Sequence, residues 1–93
     1  MQTVERVFAI IRDRQAHPKP GSYTHQLLSA GQDEILKKIG EESIEVILAA
    51  NAQGDQRLIS ELADLAYHCL VLLAQRGLTP DDVAAELERR MKP

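Results

Sequence analysis

Aromatic side chains are almost missing from this chain: tryptophan does not occur, and Phe8, Tyr23 and Tyr67 are the only aromatics. That excludes a platform for stacking nucleic-acid bases. The net charge of −3 supplies no basic footprint either, so no nucleic-acid partner is expected. Cysteine is limited to Cys69, which rules out an intrachain disulfide and fits a reducing cytoplasm. Lying in an apolar run, Cys69 reads as a small buried hydrophobe rather than a nucleophile. Long charge-free runs are lacking as well. Val7-Phe8-Ala9-Ile10-Ile11 is too short for a signal sequence. The longest uncharged stretch falls below the roughly 18 residues of a membrane helix, so no membrane partner is expected. Phosphate loops of the G-x-x-x-x-G-K-[ST] and G-x-G-x-x-G types do not occur. His17, His25 and His68 lack zinc-ligand spacing.

What remains is rich in Ala, Leu, Ile, Glu, Gln and Arg, residues that favour helix. Ninety-three residues make one small domain, taken here as 1–93. A first helix is predicted from Thr3 to Gln15, with Val4, Val7, Phe8, Ile10 and Ile11 as its apolar stripe. His17-Pro18-Lys19-Pro20-Gly21 breaks the chain. Ser22 then caps a short helix to Ser29, and Gly31 interrupts it. A long helix follows from Asp33 to Ala52, closed by Gly54. Another spans Gln56 to Arg76, with Gly77 just past its end. Thr79-Pro80-Asp81-Asp82 is a strong helix start, and the last helix carries Val83, Leu87 and Met91 to its end. No strand alternation or internal repeat is visible. The expectation is an all-α antiparallel helical bundle.

The segment Leu65–Ala74 holds no permanent charge, whereas a surface helix of that length shows a polar face. A small monomer can hardly bury such a helix on every side. A homodimer is therefore expected, its interface using this helix and its four-helix core completed by two chains.

Against this apolar background stand two acidic clusters, Glu41-Glu42-Ser43-Ile44-Glu45 and Glu61-Leu62-Ala63-Asp64. Residues three apart share a helix face, so Glu42 pairs with Glu45 and Glu61 with Asp64. An antiparallel helix pair brings the four together. On the first of these helices Ile35, Ile39, Val46 and Ala50 mark the core direction, and Glu42 falls within it. On the second, Leu58, Leu62, Leu65, Cys69 and Leu73 mark the core, with Glu61, Asp64 and His68 along one flank. A charge on a core stripe is costly unless paired or bound to metal. A buried Lys38–Glu42 pair is one solution, but it leaves Glu45, Glu61 and Asp64 unexplained. A metal explains all four, and an all-carboxylate set favours Mg²⁺, with Mn²⁺ as substitute. Their usual partners are substrate phosphates. Gly40, inside the helix just before Glu41, suggests close approach of a backbone or ligand, or is simply tolerated.

The pattern EExxE…ExxD resembles the all-α nucleoside triphosphate pyrophosphohydrolases, the MazG-like fold. Ser22-Tyr23-Thr24, Lys37-Lys38-Ile39-Gly40-Glu41-Glu42 and Glu61-Leu62-Ala63-Asp64-Leu65-Ala66-Tyr67-His68 resemble, more narrowly, the phosphoribosyl-ATP pyrophosphohydrolase family of histidine biosynthesis. Arg-Gly-Leu-Thr-Pro-Asp-Asp at 76–82 extends the likeness over nearly the whole chain. Ser43 and Asn51 depart from the alanine and lysine expected, and Ala66 and Cys69 stand where leucines are common. None of these touches the four acids.

The resemblance implies Mg²⁺-dependent hydrolysis of phosphoribosyl-ATP to phosphoribosyl-AMP and pyrophosphate. It implies Glu42, Glu45, Glu61 and Asp64 as metal ligands. Glu41 completes the expected catalytic set as a further ligand, a water-orienting base or a solvated neighbour. Lys38 is the expected phosphate contact, with Lys37 turned further outward. Ser22, Tyr23 and Thr24 follow the Pro-Gly segment and either close over the nucleotide or pack the short helix. His68 is either a substrate-side residue or a core histidine. Two other functions fit the acids: a housecleaning pyrophosphatase acting on non-standard (d)NTPs, and a non-catalytic helical dimerisation module.

Overall fold

Each helix starts and stops where its flanking residues can satisfy its end groups. The computed structural model describes residues 1–92 and contains α1 (Gln2–Ala16), α2 (Tyr23–Ala30), α3 (Gln32–Ala52), α4 (Asp55–Gln75) and α5 (Pro80–Met91). Ser22 caps α2, its hydroxyl accepting from the His25 N–H at 3.2 Å. Thr79 and Asp82 form a reciprocal capping box ahead of Pro80 at the start of α5. At the end of α4, Leu78 N–H donates to the Leu73 carbonyl at 2.8 Å and Gly77 N–H to that of Ala74 at 3.1 Å. This closure needs a left-handed residue, and Gly77 supplies it with φ 71°. The all-α expectation holds, and every helix lies within a residue of its predicted ends.

Very short links dictate the topology. Only Gly31 separates α2 from α3, and only Gln53 and Gly54 separate α3 from α4. Two residues leave α4 no course but back along α3, and this antiparallel pair is the principal helix packing of the structure. Helix α1 lies against α4, and α2 touches α1, α3 and α4. Phe8, Ile11, Leu27, Ile35, Val71 and Ala74 form the core at their junction. Two polar bonds pin the frame: Gln15 Nε2 donates to the Ala74 carbonyl at 3.1 Å, and Arg76 Nη1 to Gln32 Oε1 at 3.0 Å. Helix α5 meets only the edge of this core and buries none of its own residues.

The phase of α4 differs from the sequence expectation. Glu61, His68, Val71 and Ala74 are its buried residues, whereas Leu62 and Cys69 are exposed. The physical reason is that an almost uniformly apolar helix carries little phase information, so its partners choose the face. The Cys69 thiol lies in an apolar groove between α1, α4 and α5, and partial desolvation there pushes its pKa up. On α3 the buried residue near the end is Ala49 rather than Ala50.

The segment Leu65–Ala74 supplies much of this chain's own core through Val71, Ala74 and half-buried Tyr67, Leu70, Leu72 and Leu73. Exposed apolar side chains gather one to three turns earlier, at Ile59 and Leu62 of α4 and Ile44, Ile47 and Leu48 of α3. By length and composition α4 is apolar enough to cross a membrane. The charge-free run did not reveal this because Glu61 and Asp64 interrupt an otherwise apolar helix.

Candidate metal centre

The α3–α4 pair places three carboxylates opposite one another. Glu42 lies on the stripe of α3 that runs from Ile35 through Ile39 and Val46 to Ala49, so it faces α4. Glu61 and Asp64 occupy one turn of α4, and one oxygen from each of the three acids lies within 4.8 Å of the others. Glu61 is only 5% exposed. Glu45 enters no such group, but it lines the same cleft of about 460 Å³ with Glu41, Ile44 and the three converging acids.

Electrostatics leaves the cluster short of positive charge. At 4.8 Å, the outer limit of their oxygen spacing, two ionised carboxylates repel by about 3.5 kcal/mol at an effective dielectric of 20. Burial pushes the Glu42 carboxyl above its ordinary pKa, and the charges of Asp64 and Glu61 raise it further. His68 and Lys38 offset part of this. Arg57 reaches Glu61 at 3.3 Å from one turn below, but its side chain is more than half exposed. Lys38 pairs with Glu41 at 3.6 Å. The Lys38–Glu42 pair considered from sequence is therefore not formed, and among the described residues the converging acids have no buried cation as salt-bridge partner.

The donor set fits a small divalent cation. Octahedral Mg²⁺ at about 2.1 Å from its ligands sets oxygens about 3.0 Å apart when adjacent and about 4.2 Å when opposite. The three oxygens lie within 4.8 Å of one another, so side-chain rotations that draw them closer by up to about 0.6 Å for an opposite pair and about 1.8 Å for adjacent pairs reach that range. Carboxylate oxygens without thiolate or imidazole are the ligands such a hard cation prefers.

Above the acids His68 is 5% exposed and engaged at both ring nitrogens. Nδ1 lies 2.7 Å from the Asp64 carbonyl, so Nδ1–H donates there. Nε2 is thereby left as acceptor for the Tyr23 hydroxyl at 3.0 Å. Thr24 hydrogen-bonds the Tyr67 hydroxyl beside this pair, and both tyrosine rings pack against the imidazole. These contacts tie the start of α2 to the acid-bearing turn of α4. Tyr23 remains nearly half exposed, and desolvation is the chief cause of its raised pKa. Tyr23 and then Glu41 hold the Lys38 ammonium above its ordinary range, against some desolvation.

The other residues singled out from sequence are spread around this centre. Lys37 is exposed, and Ser22 serves as the α2 cap. Gly40 has open space where a Cβ would stand, so no close backbone approach accounts for it. Two residues not singled out from the sequence, Glu34 and Gln26, line a second groove with Tyr23, Leu27, Ala30 and Lys38. The signal available for Glu34 was its spacing of four from Lys38, itself four from Glu42.

Carboxylates on facing turns of two antiparallel helices, in a bundle without strands among its described residues, define the MazG-like class of nucleotide pyrophosphohydrolases. The comparisons narrow the class. A family model described as phosphoribosyl-ATP pyrophosphohydrolase matches residues 4–91, and the chain belongs to that family. It is 52% identical over 90 residues to a phosphoribosyl-ATP pyrophosphatase of Lactiplantibacillus plantarum, covering 97% of this chain and 85% of the relative. To the protein of the same name from Pyrobaculum aerophilum it is 52% identical over 91 residues, covering 98% and 97% of the two. The Saccharolobus islandicus counterpart is 46% identical over 91 residues, again covering 98% and 97%.

Proposed function

We propose that this chain hydrolyses phosphoribosyl-ATP to phosphoribosyl-AMP and pyrophosphate, the second step of histidine biosynthesis, with Mg²⁺ at the carboxylate cluster. The observation that carries this reading is the convergence of Glu42, Glu61 and Asp64, with Glu45 lining the same cleft. A Mg²⁺ ion held there would supply charge that neutralises the triphosphate and would lower the pKa of an attacking water. Glu42, Glu61 and Asp64 would hold the ion, with Glu45 available as a further ligand from the same cleft. Lys38 meets the phosphates at the cleft's edge, where Glu41 orients its ammonium. Cleavage falls between the α and β phosphates: the water oxygen forms the new bond to phosphorus, the bridging bond breaks, and pyrophosphate leaves. Tyr23 and Thr24, held by His68 and Tyr67, border the nucleotide; Lys37 contributes long-range positive charge from outside.

A homodimer is part of the same reading. Ile44, Ile47, Leu48, Ile59 and Leu62 make an exposed apolar face on the α3–α4 pair. Burying it against a second copy yields a four-helix core. Because Ile44 also lines the acidic cleft, the partner lies at the border of the site. Carboxylates in mid-α4 are costly at a bilayer centre, which supports a cytoplasmic enzyme of one domain rather than a membrane-spanning one.

The test is product formation from phosphoribosyl-ATP against a panel of dNTPs, with and without Mg²⁺. Phosphoribosyl-AMP and pyrophosphate are expected in equal amounts, only with metal. Preference for any dNTP overturns the substrate assignment, and turnover in excess EDTA overturns the metal.

A further inference from the structure

The acidic cleft is not the only cavity along α3. A groove of about 290 Å³ runs between α2 and α3, lined by Tyr23, Gln26, Leu27, Ala30, Glu34 and Lys38. Lys38 is common ground: it lines this groove and pairs with Glu41 at 3.6 Å on the cleft side. Glu34, Lys38 and Glu42 recur at spacing four and climb one side of the helix. At 1.5 Å per residue Glu34 lies about 12 Å along the axis from Glu42, with Lys38 about midway. Lys38 thus brings the groove within reach of a molecule whose phosphates lie at the acids.

We infer that the groove between α2 and α3 is a ribonucleoside subsite in which Glu34 accepts hydrogen bonds from the ribose cis-diol. The inference rests on the proposed nucleotide chemistry of the neighbouring cleft. Glu34 is half-buried and makes no ion pair among the described residues. Its carboxylate offers acceptors only, so the ligand must bring donors. Two adjacent hydroxyls bring a matched pair, and a glutamate or aspartate on ribose hydroxyls is how dinucleotide sites select their sugar. Leu27, Ala30 and the Tyr23 ring give the groove its apolar walls, while the Gln26 amide supplies one donor and one acceptor group. The Tyr23 hydroxyl is committed to His68, which fixes the ring's orientation as one wall. His68 is thus a positioning residue for that wall.

The experiment compares phosphoribosyl-ATP with its counterpart lacking the 2′-hydroxyl of the adenosine ribose, in wild type, Glu34→Ala, Glu34→Gln and the exposed-site control Glu88→Gln. One charge-assisted hydrogen bond predicts a preference of wild type for the ribose form of roughly 10- to 100-fold in kcat/KM. Glu34→Ala is expected to bring that ratio close to one through a higher KM for the ribose form, with kcat little changed. Glu34→Gln keeps one acceptor oxygen and part of the preference; Glu88→Gln keeps all of it. A ratio is insensitive to the fraction of protein folded, so a poorly folding variant still reports. Wild type without discrimination, or Glu34→Ala slowing both substrates equally, overturns the subsite. If wild type turns over neither substrate, the proposed reaction is what fails. Calorimetric binding of AMP against 2′-deoxy-AMP then judges the subsite alone, with a preference lost in Glu34→Ala supporting it and equal binding by wild type refuting it.

Discussion

Replacing Glu61 by glutamine removes one charge from the cradle and keeps the side chain's size. The carboxylate is 5% exposed, shares its site with Glu42 and Asp64, and has only the outward-lying Arg57 as cation. In EDTA the substitution relieves repulsion, so the variant should melt no lower than wild type. With Mg²⁺ the order reverses. At free metal 100 times its dissociation constant, binding stabilises the native state by about 2.7 kcal/mol. For a domain of this size each kcal/mol is worth about 4–8 °C, so wild type should gain roughly 10–20 °C. Outer-sphere changes already weaken metal sites 10- to 100-fold, and loss of a direct ligand should cost at least the larger figure. The same Mg²⁺ then only equals the dissociation constant, leaving about 0.4 kcal/mol, or roughly 2–3 °C. Thermal melts at fixed protein concentration, in EDTA and in MgCl₂, measure both gains. An equal rise in wild type and variant would refute the cradle, as would no rise in wild type.

The raised pKa of Glu42 fixes a sign for pH dependence. Without metal, this group's contribution to stability is whole below pH 4.5, its ordinary pKa, and is lost as pH rises through the higher folded value. Wild type should therefore lose stability relative to Glu42→Gln over that window in EDTA, read by urea unfolding at constant ionic strength; a relative gain contradicts the assignment. Gly77→Ala should cost about 1 kcal/mol, since φ is 71° and nothing stands within 4 Å of the new Cβ. Urea midpoints test it, and an unchanged midpoint means that the left-handed closure of α4 is not needed. If the proposed homodimer buries the exposed apolar side chains of α3 and α4, Ile47→Asp should shift it to monomer in sedimentation equilibrium, because Ile47 is 66% exposed; an intact dimer moves the interface elsewhere.

Helix ends were legible in the sequence because their signals are local. Ser22, Gly77 and the Thr79-Pro80-Asp81-Asp82 start each satisfy groups within a few residues of themselves. The pairing of Glu61 with Asp64 was legible for the same reason, since one helical turn fixes it. Phase was not. An apolar helix such as α4 fits its neighbours in several rotations, and packing against α1, α2 and α3 turned Glu61, His68 and Val71 inward and Cys69 out. The environment of Glu34 was equally hidden, because what half-buries it is α2, placed there by the break after α1 and by Gly31. Spacing alone could not tell Glu45, which only lines the cleft, from Glu42, whose oxygen joins the cluster.

The two-residue link between α3 and α4 has a kinetic side. Glu42 and Asp64 are 64 − 42 = 22 positions apart, and both belong to one helical hairpin. The entropy of bringing their segments together is that of a short loop, and it is spent when the hairpin forms. Contacts this local form early and rapidly in small helical proteins. An ion bound at the proposed site would therefore find its three converging acids already brought together by the hairpin. The electrostatic strain among the acids is carried by the hairpin and α2's clasp on it, waiting for a cation rather than built by one.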